Sequence, residues 1–178
     1  MRVLIINGSP KPKGNTAIAL NEMVKVFQAD GIEAELVQIG NKDIRGCIAC
    51  GSCFSKGKCV FDDIVNELAP KFEAADGLVI ASPVYYASAN ATLIACLDRL
   101  FYSTHFDKTM KVGASVVVAR RGGCSSTFDE LNKYFMMNTC RSRQASIGTA
   151  CTAEKRDRPS KIWKDFKQCG RWHGTWLS

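Results

Sequence analysis

Two hydrophobic periods alternate along this chain. Arg2 to Ile6 is an apolar run of strand length, and Thr16 to Ala29 carries Ile18, Ala19, Met23, Val26 and Phe27 along one side of a helix. Asp30-Gly31 stops that helix, and Ile32 to Ile39 alternates like a strand. Residues 40–60 are a Gly- and Cys-rich excursion, followed by a predicted helix from Phe61 to Phe72 with Asp62 and Asp63 suited to its first turn. Gly77 to Ala81 reads as a buried strand ending at Ser82-Pro83. Asn90 to Phe101 places Leu93, Ile94, Leu97 and Leu100 at helical spacing. Val112 to Ala119 is the next strand, and Ser126 to Met137 the next helix. Strands alternating with helices predict an α/β fold: a parallel sheet covered on both faces. Ligands of such sheets lie beyond the carboxyl ends of the strands. Three Gly/Pro-rich loops, 8–16, 82–88 and 120–125, fall at those ends and are expected to converge.

The first loop carries the strongest chemical signal. Gly8-Ser9-Pro10-Lys11-Pro12-Lys13-Gly14-Asn15-Thr16 leads from strand to helix, with Asn15 or Thr16 as the expected cap. Backbone N–H groups and hydroxyls gathered at a helix N-terminus favour an anion, and a phosphate is the natural guest. Five residues separate Gly8 from Gly14 where a P-loop has four, and Asn15 stands where its lysine belongs. No G-x-G-x-x-G follows the strand, which excludes the dinucleotide fingerprint. Taken alone, the loop also fits an ordinary strand-to-helix turn.

Composition narrows the partners. The formal charge is +7, but residues 1–138 hold 15 Lys and Arg against 14 Asp and Glu, whereas residues 139–178 hold 9 against 3. The basicity belongs to the tail, so the body has no footprint for nucleic acid. No segment reaches membrane-spanning length, and the opening apolar run is too short for a secretory signal. Nine cysteines without such a signal point to a reducing cytoplasm and to metal or redox chemistry.

Four segments together resemble one family. They are Gly8-Ser9-Pro10-Lys11 with Gly14-Asn15-Thr16, the cysteine segment 47–59, Ala81-Ser82-Pro83-Val84-Tyr85-Tyr86, and Arg120-Arg121-Gly122-Gly123. In this order they resemble the flavodoxin-like FMN reductase family, in the branch of iron–sulfur flavoproteins and multimeric flavodoxins. The resemblance spans residues 1–138, the expected FMN-binding domain. It implies a doubly wound sheet of strand order 2-1-3-4-5. It also implies an FMN phosphate held by Ser9, Lys11, Asn15 and Thr16, with Lys11 adding a charge-assisted contact. Pro83, Val84, Tyr85 and Tyr86 would wrap the isoalloxazine ring. Arg120, Gly122 and Gly123 would line its pyrimidine side and stabilise negative charge on the reduced ring. Plain core packing for the tyrosines and an exposed turn for residues 120–123 are the alternatives.

The cysteine segment is Cys47-x2-Cys50-x2-Cys53-x5-Cys59, interleaved with Gly46, Gly51 and Gly57. Its first three cysteines have ferredoxin-type ligand spacing, and in the iron–sulfur flavoproteins such a motif binds a [4Fe–4S] cluster that passes electrons to FMN. Free thiols and a zinc site are the alternatives, although this spacing crowds three ligands for structural zinc. Cys96 is expected in the core, and Cys124 in the ring-side loop as a bystander.

From about Asn138 the family pattern stops. All three tryptophans and three isolated cysteines fall beyond it. Reading from the third base of the Thr139 codon, a permissible codon choice yields Met-Pro-Val-Ala-Ser-Ser-Gln-Tyr-Trp-Asn-Ser-Val-His-Gly, which resembles the family's last strand and following loop. The same offset from Glu154 yields an amphipathic helix. Residues 139–178 are therefore expected to be an out-of-frame tail, the rival being a divergent basic one; the last strand and helix of the fold depend on which holds.

The implied function is an FMN-dependent oxidoreductase that passes electrons from NAD(P)H through FMN to a second, small-molecule acceptor such as a flavin or quinone. The alternative is an electron carrier between a redox-protein partner, a [4Fe–4S] cluster and FMN. The flavin performs the chemistry, so no catalytic side chain is expected; neither His105 nor His173 sits in a catalytic setting. The family implies a homo-oligomer.

Overall fold

Val3, Leu4, Ile5 and Ile6 are fully buried, so the first strand must lie at the centre of a sheet with both faces covered. The computed structural model describes residues 1–109, 111–138 and 140, and the backbone of 149–152. Five strands, β1 (Arg2–Asn7), β2 (Glu33–Gln38), β3 (Gly77–Pro83), β4 (Val112–Ala119) and β5 (Thr149–Thr152), pair in parallel in the order β2-β1-β3-β4-β5. This is the expected doubly wound order. In register, Ile5 lies between Leu36 on β2 and Val79 on β3.

The strand period of two divides the core. Leu4, Ile6, Leu78, Ile80 and Val117 face α3 (Ile64–Ala74), α4 (Ala91–Ser103) and α5 (Cys124–Met137), whose Leu68, Phe72, Leu93, Leu97, Leu100, Leu131 and Phe135 are buried against them. Val3, Ile5, Val79, Val116 and Val118 face the other way, onto Ala19, Leu20, Met23 and Phe27 of α1 (Asn15–Ala29). A fifth helix, α2 (Ser52–Lys56), is a single short turn inside the cysteine segment.

Three local expectations are corrected. The cap of α1 is Gly14, in extended conformation and without a side-chain cap bond; Asn15 and Thr16 are already helical. Helix α3 begins at Ile64, because Asp63 caps it by accepting a hydrogen bond from the Val65 N–H at 3.1 Å. Cys124 is the half-buried first residue of α5 and not a loop residue. Cys96 is fully buried, as expected. The expectations for residues 139–178 lie outside the described residues, apart from Cys140 and the backbone of β5.

Candidate flavin pocket and cysteine cleft

The three loops at the carboxyl ends of β1, β3 and β4 are tied together by backbone. The Gly8 N–H donates to the Ala81 carbonyl at 2.8 Å, and the Val84 N–H to the Val118 carbonyl at 2.9 Å. Asn90, the α4 cap, donates its side-chain amide to the Gly8 carbonyl at 2.6 Å, while its own N–H donates to Ser82 Oγ at 2.9 Å. Gly40, after β2, closes the fourth side: a Cβ there would stand 2.2 Å from the Ser9 carbonyl carbon. No other residue type lets these two backbones approach so closely.

Within the first loop, Ser9 is buried; its Oγ accepts from the Lys11 N–H at 3.2 Å and its N–H donates to Asn7 Oδ1 at 3.0 Å. Gln38 Nε2 donates to the Ser9 carbonyl, and Asn7 Nδ2 to Gln38 Oε1 at 2.7 Å. Lys11 and Lys13 are exposed and Thr16 is buried. Gly14 offers the first turn of α1 no side-chain oxygen, so those N–H groups remain available to an external acceptor. Asn15 Oδ1 is buried with no hydrogen-bond partner. Rotating that amide by half a turn presents two N–H donors at the same place, which suits an anion. An uncapped helix start, a buried hydroxyl, an unpartnered amide and two lysines fit a phosphate.

The second loop folds into a tight turn. Tyr85 and Ser88 exchange backbone hydrogen bonds at 2.9 and 3.1 Å, and Tyr86 and Ala87 between them have φ of 51° and 60°. Such a turn favours Asn-Gly, so two Cβ-bearing residues store strain of about 1–3 kcal/mol each. Glu130 on α5 offsets it: its carboxylate accepts from Ser88 Oγ at 2.9 and 3.0 Å and from the Ala89 N–H at 2.8 Å. Gly123, at φ 87°, packs beneath the turn; a Cβ there would lie 2.8 Å from Ala87 Cα. Tyr85 is half exposed and Tyr86 fully exposed, so neither is core packing. Pro83 and Val84 are half-buried, and Arg120 and Gly122 are exposed beside Gly123. A flat, apolar-faced ring fits a rim carrying two outward tyrosines.

The cysteine segment forms a second feature. Cys47, Cys50, Cys53 and Cys59 all line one shallow cleft, together with Ile48, Phe61, Arg99 and Tyr102. Ala49, Gly51 and Gly57 take positive φ, which bends the chain around it. Cys47 and Cys50 are exposed, Cys59 is half-buried and Cys53 is buried. Among the described residues no three His, Cys, Asp or Glu side chains are already drawn together around a single metal position. The donor set is nonetheless four thiols around one cleft, which suits a thiolate-bound cluster. Hydrogen bonds from the Ser52 hydroxyl and N–H hold the Cys50 thiol below its ordinary pKa. Burial pushes the Cys96 thiol up to about 12, with the Asp63 charge adding to it, so Cys96 is an inert core thiol. His105 is exposed and stacks on Phe54 at 5.3 Å.

Two residues of this region have roles that their own sequence surroundings do not mark. Glu130 looks like a solvent-facing helical carboxylate. Arg99 looks the same, yet it is buried; its position three residues after buried Cys96, on the same helix face, was the available clue.

Comparison with known proteins agrees with this architecture. The NADPH-dependent FMN reductase family model matches residues 1–151. An iron–sulfur flavoprotein of Methanocaldococcus jannaschii is 34% identical over 142 residues, which cover 78% of this chain and 74% of that protein. An iron–sulfur flavoprotein of Methanosarcina thermophila is 34% identical over 138 residues, 75% of this chain and 72% of the other. Among solved structures, an FMN-dependent NADH-azoreductase from Bacillus anthracis, crystallised with FMN, covers all of both chains with a TM-score of 0.68 at 10% identity. A flavodoxin from the domain Archaea gives 0.61 at 13% identity, over 96% of this chain and 92% of the other. Likeness at that level of identity shows a flavodoxin-like fold. Among the described residues, no helix is long and apolar enough to cross a membrane.

Proposed function

The chain belongs to the NADPH-dependent FMN reductase family and is an oxidoreductase; from that premise we propose that it binds FMN across its three joined loops and passes electrons from NAD(P)H to a second acceptor. The observation that carries this reading is the convergence of the uncapped α1 N-terminus with the Tyr85–Ser88 turn, bridged by Asn90. Ser9, Asn15 and Thr16 with the first-turn N–H groups would hold the phosphate, and Lys11 would add charge. Pro83, Val84, Tyr85 and Tyr86 would bound one face of the ring; Arg120, Gly122 and Gly123 would border its polar edge. When bound, the flavin supplies hydride acceptance and onward electron transfer. The protein's part is to bind, to orient and to keep the ring edge open to a nicotinamide. Anaerobic addition of NADPH to the FMN-loaded chain should bleach the yellow flavin band, and an added quinone should restore it. A flavin band indifferent to both NADPH and NADH would reject the reductase reading.

A second reading has its own observation. Cys47, Cys50, Cys53 and Cys59 line one cleft, and the two relatives described above carry the name iron–sulfur flavoprotein. We infer that these four thiols hold a [4Fe–4S] cluster that exchanges electrons with FMN and a redox-protein partner. Helix α4 joins the two sites: Asn90 caps it at the flavin loops, and Arg99 reaches the cleft about 13 Å further along its axis. Anaerobic purification with iron and sulfide analysis tests this reading; four irons and four sulfides per chain are expected, and iron-free protein after reconstitution would contradict it. The body 1–138 as FMN-binding domain and the tail 139–178 as out-of-frame product remain part of the proposal. Sequencing the gene across codons 136–140 tests the latter, and an uninterrupted native frame would discard it.

A further inference from the structure

Arg99 is among the largest fully buried side chains of the protein, and all three of its guanidinium nitrogens are engaged. Nη1 and Nη2 grip Asp63 in a two-pronged pair at 2.6 and 2.9 Å. Nη1 also donates to the Arg45 carbonyl at 3.3 Å, and Nη2 to the Phe61 carbonyl at 3.4 Å. The remaining donor, Nε–H, points at Cys59 Sγ at 3.2 Å. The Phe61 ring lies beneath the guanidinium, 5.0 Å from its carbon, with the Arg45 guanidinium 4.6 Å away. A guanidinium keeps its charge at any physiological pH, and here that charge faces the Asp63 carboxylate.

A buried pair of this kind is weak evidence for stability, because desolvation consumes most of the Coulombic gain. Its geometry instead serves the cleft. The Asp63 carboxylate orients the fork, the fork holds both carbonyls that flank the cysteine segment, and the one donor left over meets a sulfur. Asn66 holds the backbone of the same cysteine from both sides, accepting from the Cys59 N–H at 3.0 Å and donating to its carbonyl at 3.1 Å. Cys59 is thus fixed in main chain and side chain before any metal arrives, while Cys47 and Cys50 are exposed.

We propose that Arg99, oriented by Asp63, is a positioning residue that fixes Cys59 as the anchored thiolate of the cleft and, through its Nε–H bond to that sulfur, raises the reduction potential of an iron–sulfur centre bound there. The inference rests on the cluster reading of the cleft. Hydrogen bonds and positive charge at a ligating sulfur stabilise the more negative, reduced centre.

The test uses the full chain, reconstituted anaerobically with ferrous iron and sulfide. Removing Arg99 alone strands the Asp63 charge, so the decisive variant is Arg99→Gln combined with Asp63→Asn, which keeps the α3 cap. Expected for the folded double variant are iron retention against a chelator weakened roughly 10- to 100-fold and a midpoint potential shifted to more negative values. Retention and potential equal to the native protein would overturn the proposal. Arg99→Lys, which keeps the charge but loses the fork, should also lose retention, and an unchanged value would count equally against it. The native chain grown on 15N-arginine gives a readout independent of any variant: the reduced cluster's electron resonance should carry a hyperfine coupling to one guanidinium nitrogen. A cluster without that coupling refutes the role of Arg99, whereas failure of the native chain to form a cluster refutes the cleft reading itself.

Discussion

The two sites joined by α4 are built in opposite ways. At the N-terminus of the helix, the loops proposed to bind flavin are locked mainly by backbone bonds such as Gly8 to Ala81 and Val84 to Val118, and by a backbone approach that only glycine at position 40 permits. Nine residues further on, the cysteine cleft is held by side chains, with Arg99 and Asp63 as the centre of the arrangement. Shape held largely by main chain loses only part of its support when one side-chain charge such as Glu130 is removed. Shape held by one ion pair loses its centre, and a cleft whose outer cysteines are exposed is suited to closing around a cofactor that supplies its own bonds.

Asp63→Ala should break this contrast most severely. It strands a buried guanidinium and removes the α3 cap, so a loss of about 3–5 kcal/mol is expected in denaturant unfolding. In the fraction that remains folded, FMN affinity should change little; a parallel loss of FMN binding would show that the two sites are not separately built. Gly40→Ala strikes the other site, forcing a methyl group into the Ser9 backbone. A cost of about 1–3 kcal/mol should come with weakened FMN binding and unchanged iron retention, measured by titration and chelator challenge. Glu130→Gln keeps the shape of the turn clamp but weakens its charge-assisted bonds. FMN affinity should fall about tenfold, equivalent to about 1.4 kcal/mol, with the unfolding midpoint nearly constant.

The one effect confined to alkaline conditions concerns pH. Cys96 stays protonated in the folded chain up to about pH 12, whereas in the unfolded chain it ionises near pH 8.5, roughly the free-thiol value. Above that pH the folded state binds more protons than the unfolded one, so stability is full below about pH 8.5 and declines as pH rises. The slope from this group approaches about 1.4 kcal/mol per pH unit. Cys96→Ala should flatten that part of the stability profile, and an identical slope in the variant would remove Cys96 as its cause.

Much of the fold was legible because strand and helix periods are local properties. The run Val3 to Ile6, the buried strand from Gly77 and the strand from Val112 to Ala119 emerge within two residues of their observed ends. The cap of α1 is not legible, since Asn15 and Thr16 have the chemistry of caps while the glycine at position 14 takes that place with no side chain at all. The three converging loops are marked in the sequence by Gly, Pro and Tyr at strand ends. Glu130 and Arg99 are not, since each acts on residues about forty positions away, and a helical pattern does not distinguish a charge meeting water from one meeting a buried partner. For Arg99 the face it shares with Cys96 was a usable signal; for Glu130 no local signal exists.

The phosphate grip can be tested most directly by comparing FMN with riboflavin, which lacks the phosphate, in fluorescence titrations of the native chain and of Asn15→Ala combined with Thr16→Ala. The native chain should bind FMN at least about tenfold more tightly than riboflavin, a difference of about 1.4 kcal/mol, and the double variant should lose that preference while binding riboflavin as before. Equal affinity of the native chain for both flavins, or a preference that survives in the double variant, would contradict the assignment of the first loop to the phosphate.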